Sequence, residues 1–416
     1  MSEWKRYKLS ELYEMSSGIS STKEQAGHGS PFLSFSVVFN NYFLPDSLID
    51  LMDTTDGEKQ KYSINEGDIF LTRTSETVDE LAMSSVALKD YPEASFSGFL
   101  KRLRPVDKTI VYPKFMAFYL RSPLFRRTII NNTVMTLRAS FNEAMFSYLE
   151  IMLPDFETQK KIGDFLYSLE KKKQVNNQVN RELEAMAKTL YDYWFVQFDF
   201  PDQNGKPYKS SAGKMVYHPE LKREIPEGWG VDSLWNIANF YNGLAMQKYR
   251  PDTNGDDYLP VIKIREMMNG FSKDTEKARL DIPTEAVVER GDILFSWSAT
   301  LEVIIWGKER GALNQHIFKV TSDTYPKSFI YFELKSYLKV FKSIAELRKT
   351  TMGHITQDHL KQAKIVVPPI EIISKLDAKL QPIMLKQQIL ENQNQELTQL
   401  RDWLLPMLMN GQVKVE

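Results

Sequence analysis

The chain has 416 residues, 53 basic and 54 acidic side chains and no cysteine, which excludes disulfides, thiolate metal sites and a cysteine nucleophile and is compatible with a reducing compartment. A formal net charge of −1 gives no overall attraction to nucleic acid, so any surface for it has to be local. No stretch approaches the roughly 18 apolar residues needed to span a bilayer, and residues 1–9 are polar and charged rather than leader-like, so a soluble, cytoplasmic protein is expected.

Residues 1–155 read as a first mixed α/β domain. Short β-like runs at 69–73 (IFLTR) and 96–100 (FSGFL) are punctuated by turn residues, and a helical pattern lies around Lys114 to Phe125. The period changes over residues 156–198. From Ile162, apolar residues fall at Phe165, Leu169, Val179, Leu183, Met186, Leu190 and Tyr193, with a polar gap at Lys172 and Asn176. This 3-4 spacing is a coiled-coil seam, or the buried face of a helix packed on its own domain. Residues 199–228, rich in Asp, Gly, Lys, Pro and Ser, read as a linker. Residues 229–368 return to the α/β pattern, with runs at 292–297 (DILFSW) and 316–320 (HIFKV) and a helix over 327–347. Residues 369–416 carry a second stripe, Leu376, Leu380, Ile383, Leu390, Leu397, Leu400 and Leu404, interrupted by Gln387 and Asn394. Pro382 lacks a backbone donor and predicts a kink or a restart of that helix.

The second half echoes the first. Trp4, Leu9, Leu12 and Gly18 correspond at one offset to Trp229, Leu234, Ile237 and Gly243. In the same order, 67–70 (GDIF) answers 291–294 (GDIL), Phe99-Leu100-Lys101 answers Ile317-Phe318-Lys319, and Tyr112-Pro113-Lys114 answers Tyr325-Pro326-Lys327. Leu153-Pro154 answers Val367-Pro368, and 180–183 (NREL) answers 394–397 (NQEL). Two equivalent stripes, each following an α/β domain, favour an intramolecular antiparallel helix pair, which supplies both with a partner.

These features resemble the specificity (S) subunits of type I restriction-modification systems, over essentially the whole chain. The resemblance is carried by 225–229 (IPEGW), 291–300 (GDILFSWSAT), 313–318 (LNQHIF), His359-Leu360 to Pro369, 400–411 (LRDWLLPMLMNG) and 193–199 (YWFVQFD). It implies an α/β (α+β) protein with two pseudo-repeated target-recognition domains joined by two long antiparallel coiled-coil helices. It implies a non-catalytic chain that reads a bipartite double-stranded DNA target, one domain per half-site, with the helices setting the spacer. Modification (methyltransferase) subunits, two of them, and ATP-dependent restriction subunits are the implied partners. S-adenosylmethionine, ATP and Mg²⁺ are then expected on those partners, and no cofactor on this chain. The family's helix-start sequence is kept at 154–159 (PDFETQ), whereas 369–374 (PIEIIS) has no Gln. Trp194, Phe195, Trp403 and Leu404 are expected in the bundle core, with partner docking as the alternative.

Candidate DNA contacts are polar, basic and aromatic residues at turns and strand ends. In the first domain these are Ser17, Ser20, Lys23, Thr72, Arg73, Thr74, Arg138 and Ser140. In the second they are Asn242, Lys248, Tyr249, Arg250, Lys263, Arg265, Ser296, Trp297, Ser298, Arg348, Lys349, Thr350 and His354. Arg pairs with guanine and Asn with adenine in the major groove, while Lys and Ser more often hold phosphates. A solvated loop is the competing reading for each. A stand-alone methyltransferase lacks support, because no Asn/Asp-Pro-Pro-Tyr/Phe motif and no Gly-rich strand-to-helix turn is present. The carboxylates around Pro154 have the wrong spacing for a nuclease and fit an acidic helix N-terminus. The five histidines show no paired metal spacing, and no phosphate-binding Gly-x-x-x-x-Gly-Lys-Ser/Thr run occurs. A scaffold that joins partners without touching DNA accounts for the helices but not for the duplicated domains.

Overall fold

A computed structural model describes residues 4–133, 139–252, 257–347 and 354–415. The chain divides into two units, the first formed by Met1–Gln174 with Glu396–Glu416 and the second by Val175–Gln395.

In the first unit the run Ile69–Thr72 is buried at every position. Side chains alternate along a strand, so Ile69 and Leu71 enter one core while Phe70 enters another. That strand lies inside a four-stranded antiparallel sheet, in the order Tyr13–Ser17, Leu100–Pro105, Ile69–Thr72, Ser84–Val86. A second sheet of Leu51–Met52, Ala26–Leu33 and Ser95–Phe96 packs around Phe70, Leu33 and Phe96. The larger core takes in the helices Pro113–Tyr119 and Pro123–Asn132. The helix pattern around Lys114 to Phe125 is thus two helices. Ser122 caps the second by accepting Phe125 N at 3.4 Å, with Pro123 in its first turn.

The second unit repeats this plan. Its four-stranded sheet runs Asn239–Asn242, Ile317–Thr321, Ile293–Ser296, Glu302–Ile305, and the companion sheet runs Lys277–Ala278, Leu259–Ile262, Gly311–Leu313, Val287–Val288. The turn before each central strand needs a residue at positive φ. Gly67 (φ 92°) and Gly291 (φ 90°) supply it. Each unit also contains a parallel pair, Phe32 with Ser95 and Val261 with Ala312, and an outer antiparallel pair, Lys5 with Leu153 and Gly230 with Val367. Residues 199–228, read from composition as a linker, are ordered in this unit. Met215–His218 pairs with Arg223–Pro226, and Phe195, Phe198 and Phe200 surround the Trp229 ring at 5.8, 5.5 and 4.8 Å.

Two long helices, Phe156–Tyr191 and Ile370–Met409, pass from one unit into the other. Their contacts run antiparallel: Glu170 meets Arg401 at 3.1 Å in the first unit, and in the second Asn176 meets Asn394 at 3.0 Å and Glu184 meets Gln387 at 3.2 Å. One polar interruption of each stripe, Asn176 and Asn394, therefore pairs with the other, whereas Gln387 bonds Glu184 and the Asn180 carbonyl. Asn176 is buried, and an amide pair at such a seam favours one register over its neighbours. The second helix runs unbroken through Pro382, so no restart occurs there.

The start of each helix is anchored to the domain that precedes it. In the first, Asp155 caps by accepting Thr158 N at 2.8 Å, and buried Gln159 accepts Tyr112 N at 3.0 Å and donates to Ile110 O at 2.9 Å.

The buried faces depart from the expected stripes near the helix ends. Met186 (56 % exposed) and Trp403 (66 % exposed) face outward, as do Tyr193 and Leu400. Ala187, Tyr191, Trp194 and Phe195 enter the second unit's core, and Leu405, Leu408 and Met409 enter the first unit's, with Leu404 only half-buried beside it. Residues two apart on a helix lie about 200° apart. The face that meets a domain therefore replaces the face that meets a partner helix, and Trp403 is left outside when Leu405 turns in.

In the second unit, buried Glu333 accepts a hydrogen bond from the Tyr191 hydroxyl. Burial pushes its carboxyl up to about 7. Between the unfolded carboxylate range near 4.5 and about 7, the folded unit holds a proton that the unfolded chain has released. Its stability therefore falls as pH rises through this window, by at most ~1.4 kcal/mol per pH unit. Glu333→Gln is expected to flatten that slope in denaturant unfolding between pH 5 and 7.5; an unchanged slope would place the titration elsewhere.

Candidate nucleic-acid interface

In both units the central strand ends at a hydroxyl. Thr72 and Ser296 are fully buried. Thr72 Oγ1 accepts Met83 N at 2.9 Å, and Ser296 Oγ accepts Glu302 N at 2.9 Å and donates to Thr300 O at 2.5 Å. Both hydroxyls are thus spent on closing the turn to the next strand.

One residue on, the side chain reaches the surface, as Arg73 in the first unit and Trp297 in the second. The next residues, Thr74 and Ser298, pair with Ser140 and His354. Behind them, Phe141 N donates to Arg73 O and Ile355 N to Trp297 O, both at 2.8 Å.

A tight turn lies alongside each, Ser97-Gly98-Phe99 and Asn314-Gln315-His316, and it is held the same way twice. Arg73 N donates to Phe99 O at 2.9 Å and Trp297 N to His316 O at 3.3 Å. Gly98 N donates to Ile19 O at 2.7 Å and Gln315 N to Leu244 O at 2.9 Å. Ser97 N and Asn314 N donate to Leu33 O and Ile262 O at 3.0 and 3.1 Å. The strand carrying Ser17 or Asn242 then presses on this turn so closely that only glycine fits. A Cβ on Gly18 would lie 2.3 Å from Ser97 O, and one on Gly243 would lie 2.3 Å from Asn314 O.

This register corrects the alignment of the two halves by one residue. Thr72 pairs with Leu100 and Ser296 with Ile317, so Ile317 answers Leu100 and His316 answers Phe99. A slip of one residue exchanges the faces of a strand. Accordingly Leu100 and Ile317 are fully buried whereas Phe99 and His316 are exposed.

The structure thus gathers Ser17, Arg73, Thr74 and Ser140 on one rim, and Asn242, Trp297, Ser298 and His354 on its counterpart. Ser17 Oγ receives the buried Lys101 ammonium at 2.9 Å, which also binds Glu143 at 2.6 Å and holds that carboxyl below the usual carboxylate range. Asn242 accepts the Trp297 indole N–H at 3.0 Å and fixes the ring. The ring sits 5.7 Å from that of His316 and 6.1 Å, edge-on, from that of His354. Ser20, Lys23, Lys248 and Arg250 are exposed, and Tyr249 is half-buried. Lys263 and Arg265 instead hold Glu276 and buried Glu266, at 2.5 and 2.6 Å. Arg138, Arg348, Lys349 and Thr350 lie outside the described residues. Phe99 and His316 were not among the expected contacts; the signal for them was the repeated glycine facing their turn.

Among the described residues, no group of three or more His, Cys, Asp or Glu is placed to hold a metal ion, and no helix is long and apolar enough to cross a membrane. What stands out is a pair of matched rims on duplicated α/β domains built around antiparallel helices, the layout of a duplicated recognition protein. The model of the type I restriction modification DNA specificity domain matches residues 1–185 and 226–399, and the chain belongs to that family. It is 25 % identical to the type I restriction enzyme HindI specificity subunit of Haemophilus influenzae, over 99 % of this chain and all of that protein. It is 28 % identical to the MjaIX specificity subunit of Methanocaldococcus jannaschii, over 64 % of this chain and 61 % of that one. The crystal structure of the type I S subunit from M. genitalium shares the fold, with a TM-score of 0.56 at 14 % identity, over 98 % of this chain and 96 % of that one. The expected architecture of two recognition domains on long antiparallel helices therefore holds.

Proposed function

We propose that this chain reads a bipartite DNA target, one half-site per recognition domain, without catalysing any step itself. The observation that carries the proposal is the recurrence of one rim in both units, bond for bond in the backbone but with different side chains on top: Arg73, Thr74 and Ser140 in one, and Trp297, Ser298 and His354 in the other. An invariant frame with variable tips suits two readers of different sequences. The guanidinium of Arg73 matches guanine. Asn242 holds the Trp297 ring in place as an apolar contact. Lys248, Arg250 and Lys23, exposed on flexible stems, suit phosphates.

The two helices set the gap between half-sites, since 36 and 40 residues of continuous helix are stiff over roughly 50 to 60 Å. Modification subunits dock on the outward apolar side chains of these helices, Leu385 and Ile389 in the second unit and Leu400 and Trp403 in the first. Restriction subunits join through them. The adenosyl donor, ATP and Mg²⁺ are bound by those partners.

Mapping methylated adenines in cells that carry this chain and its modification subunits tests the reading. A consensus of two short blocks separated by a fixed unspecified gap is expected. A single contiguous site, or methylation or cleavage by the purified chain alone, would sink the proposal. Arg73→Ala is expected to weaken target binding roughly ten- to hundredfold and to relax one block only, while binding to random duplex changes little. Equal losses on target and random DNA would make Arg73 a phosphate contact instead.

A further inference from the structure

We propose that Phe99 is a specificity determinant of the first recognition domain and contacts the 5-methyl group of a thymine in its half-site; this rests on the DNA-reading function above. Phe99 is 67 % exposed, yet its backbone is pinned on both sides. Its N–H donates to Ser97 Oγ at 3.2 Å, its carbonyl accepts Arg73 N at 2.9 Å, and Leu100 N–H closes the turn on Ser97 O at 2.9 Å. The next residue, Leu100, is fully buried, so the turn is built to hold an apolar ring outward. Among the described residues no other aromatic ring pairs with it.

Its surroundings are those of the rim. The Arg73 guanidinium reaches Gly98 O, on the residue before Phe99, at 3.5 Å. The same place in the second unit also presents an exposed ring, His316, next to Trp297. A flat group at this point is therefore a feature of both copies, and its chemistry differs between them. A phenyl group bonds neither phosphate nor the polar edge of a base. What it distinguishes on a major-groove edge is the thymine methyl, the apolar group displayed there.

The test uses the full chain in complex with its modification subunits and duplexes bearing the mapped target. Each thymine of the two blocks is replaced in turn by deoxyuridine, which lacks only that methyl. At one position the native complex is expected to lose about fourfold in affinity, the worth of one buried methyl-sized group. Phe99→Ala should bind the thymine and deoxyuridine duplexes equally at that position, and Phe99→Leu should keep part of the difference. A native complex indifferent to every replacement, or an alanine variant as sensitive as the native one, would overturn the proposal. So would a uniform loss on all duplexes, the behaviour of a ring wedged between base pairs. If the native complex shows no preference for the mapped target over random duplex, the DNA-reading function itself fails, and that is seen before any substitution is compared.

Discussion

Gly18→Ala is expected to cost the first unit on the order of 3 kcal/mol of stability. The added Cβ would sit 2.3 Å from Ser97 O and 2.4 Å from Phe96 O. Both are backbone atoms, one at the end of the strand Ser95–Phe96 and one in the turn that follows it, so no flexible side chain can swing away. Relief requires the strand Tyr13–Ser17 to part from the turn that carries Phe99, which breaks the bonds from Ile19 N to Phe96 O and from Gly98 N to Ile19 O. Hydrogen exchange over residues 95–105 should accelerate well before the rest of the protein unfolds. Gly243→Ala meets the same obstacle at Asn314 O, 2.3 Å away, and is expected to loosen residues 311–319 in the second unit. Gly57→Ala is the control, because a Cβ there meets nothing within 4 Å and the position is helical. It should be neutral or stabilising by up to ~1 kcal/mol. Protection of residues 95–105 unchanged by Gly18→Ala would mean that the strand does not approach the turn so closely.

The second large effect is expected from shortening both long helices by one heptad. Residues 171–177 and 394–400 are matched segments, since Asn176 bonds Asn394 within them, and their joint deletion removes the buried amide layer from both sides at once. Seven residues take out about 10 Å of helix, close to two full turns, so the faces beyond the cut rotate by only about 20°. At roughly 3.4 Å per base pair, the gap between the two blocks of the methylation consensus should contract by about three base pairs, with the blocks themselves unchanged. A shortened variant that assembles, methylates DNA and keeps the original gap would show that something other than the helices sets the spacing.

Several features of this molecule were legible in order along the chain. Gly18 and Gly243 stood at one offset because their constraint acts on the backbone, which tolerates no side chain at a 2.3 Å approach. The buried runs at 69–72 and 293–296 were legible for a related reason: a strand covered on both faces has to be apolar at nearly every position. The polar breaks at Asn176 and Asn394 were visible too, although nothing in either stripe said that they would bond to each other.

Other features were invisible from spacing alone. The match of Phe99 with Ile317 failed by one residue because two apolar neighbours, Phe99 and Leu100, look alike in sequence, and only strand register tells which of them turns inward. Trp403 fits a helical stripe as well as Leu405 does. Which of the two is buried depends on the domain packed against that turn of helix, a long-range fact. Thr72 and Ser296 carry the same hydroxyl chemistry as Thr74 and Ser298, yet one pair is buried in closing a turn and the other lines the rim.

The amino-acid order by itself determined the duplication, the two α/β domains, the long helices and the family, because periodicity and backbone-restricted glycines are local properties written residue by residue. Tertiary structure alone decided which polar side chains remain at the surface and which serve the fold, because that choice is made by strand register and by contacts between segments far apart in the chain.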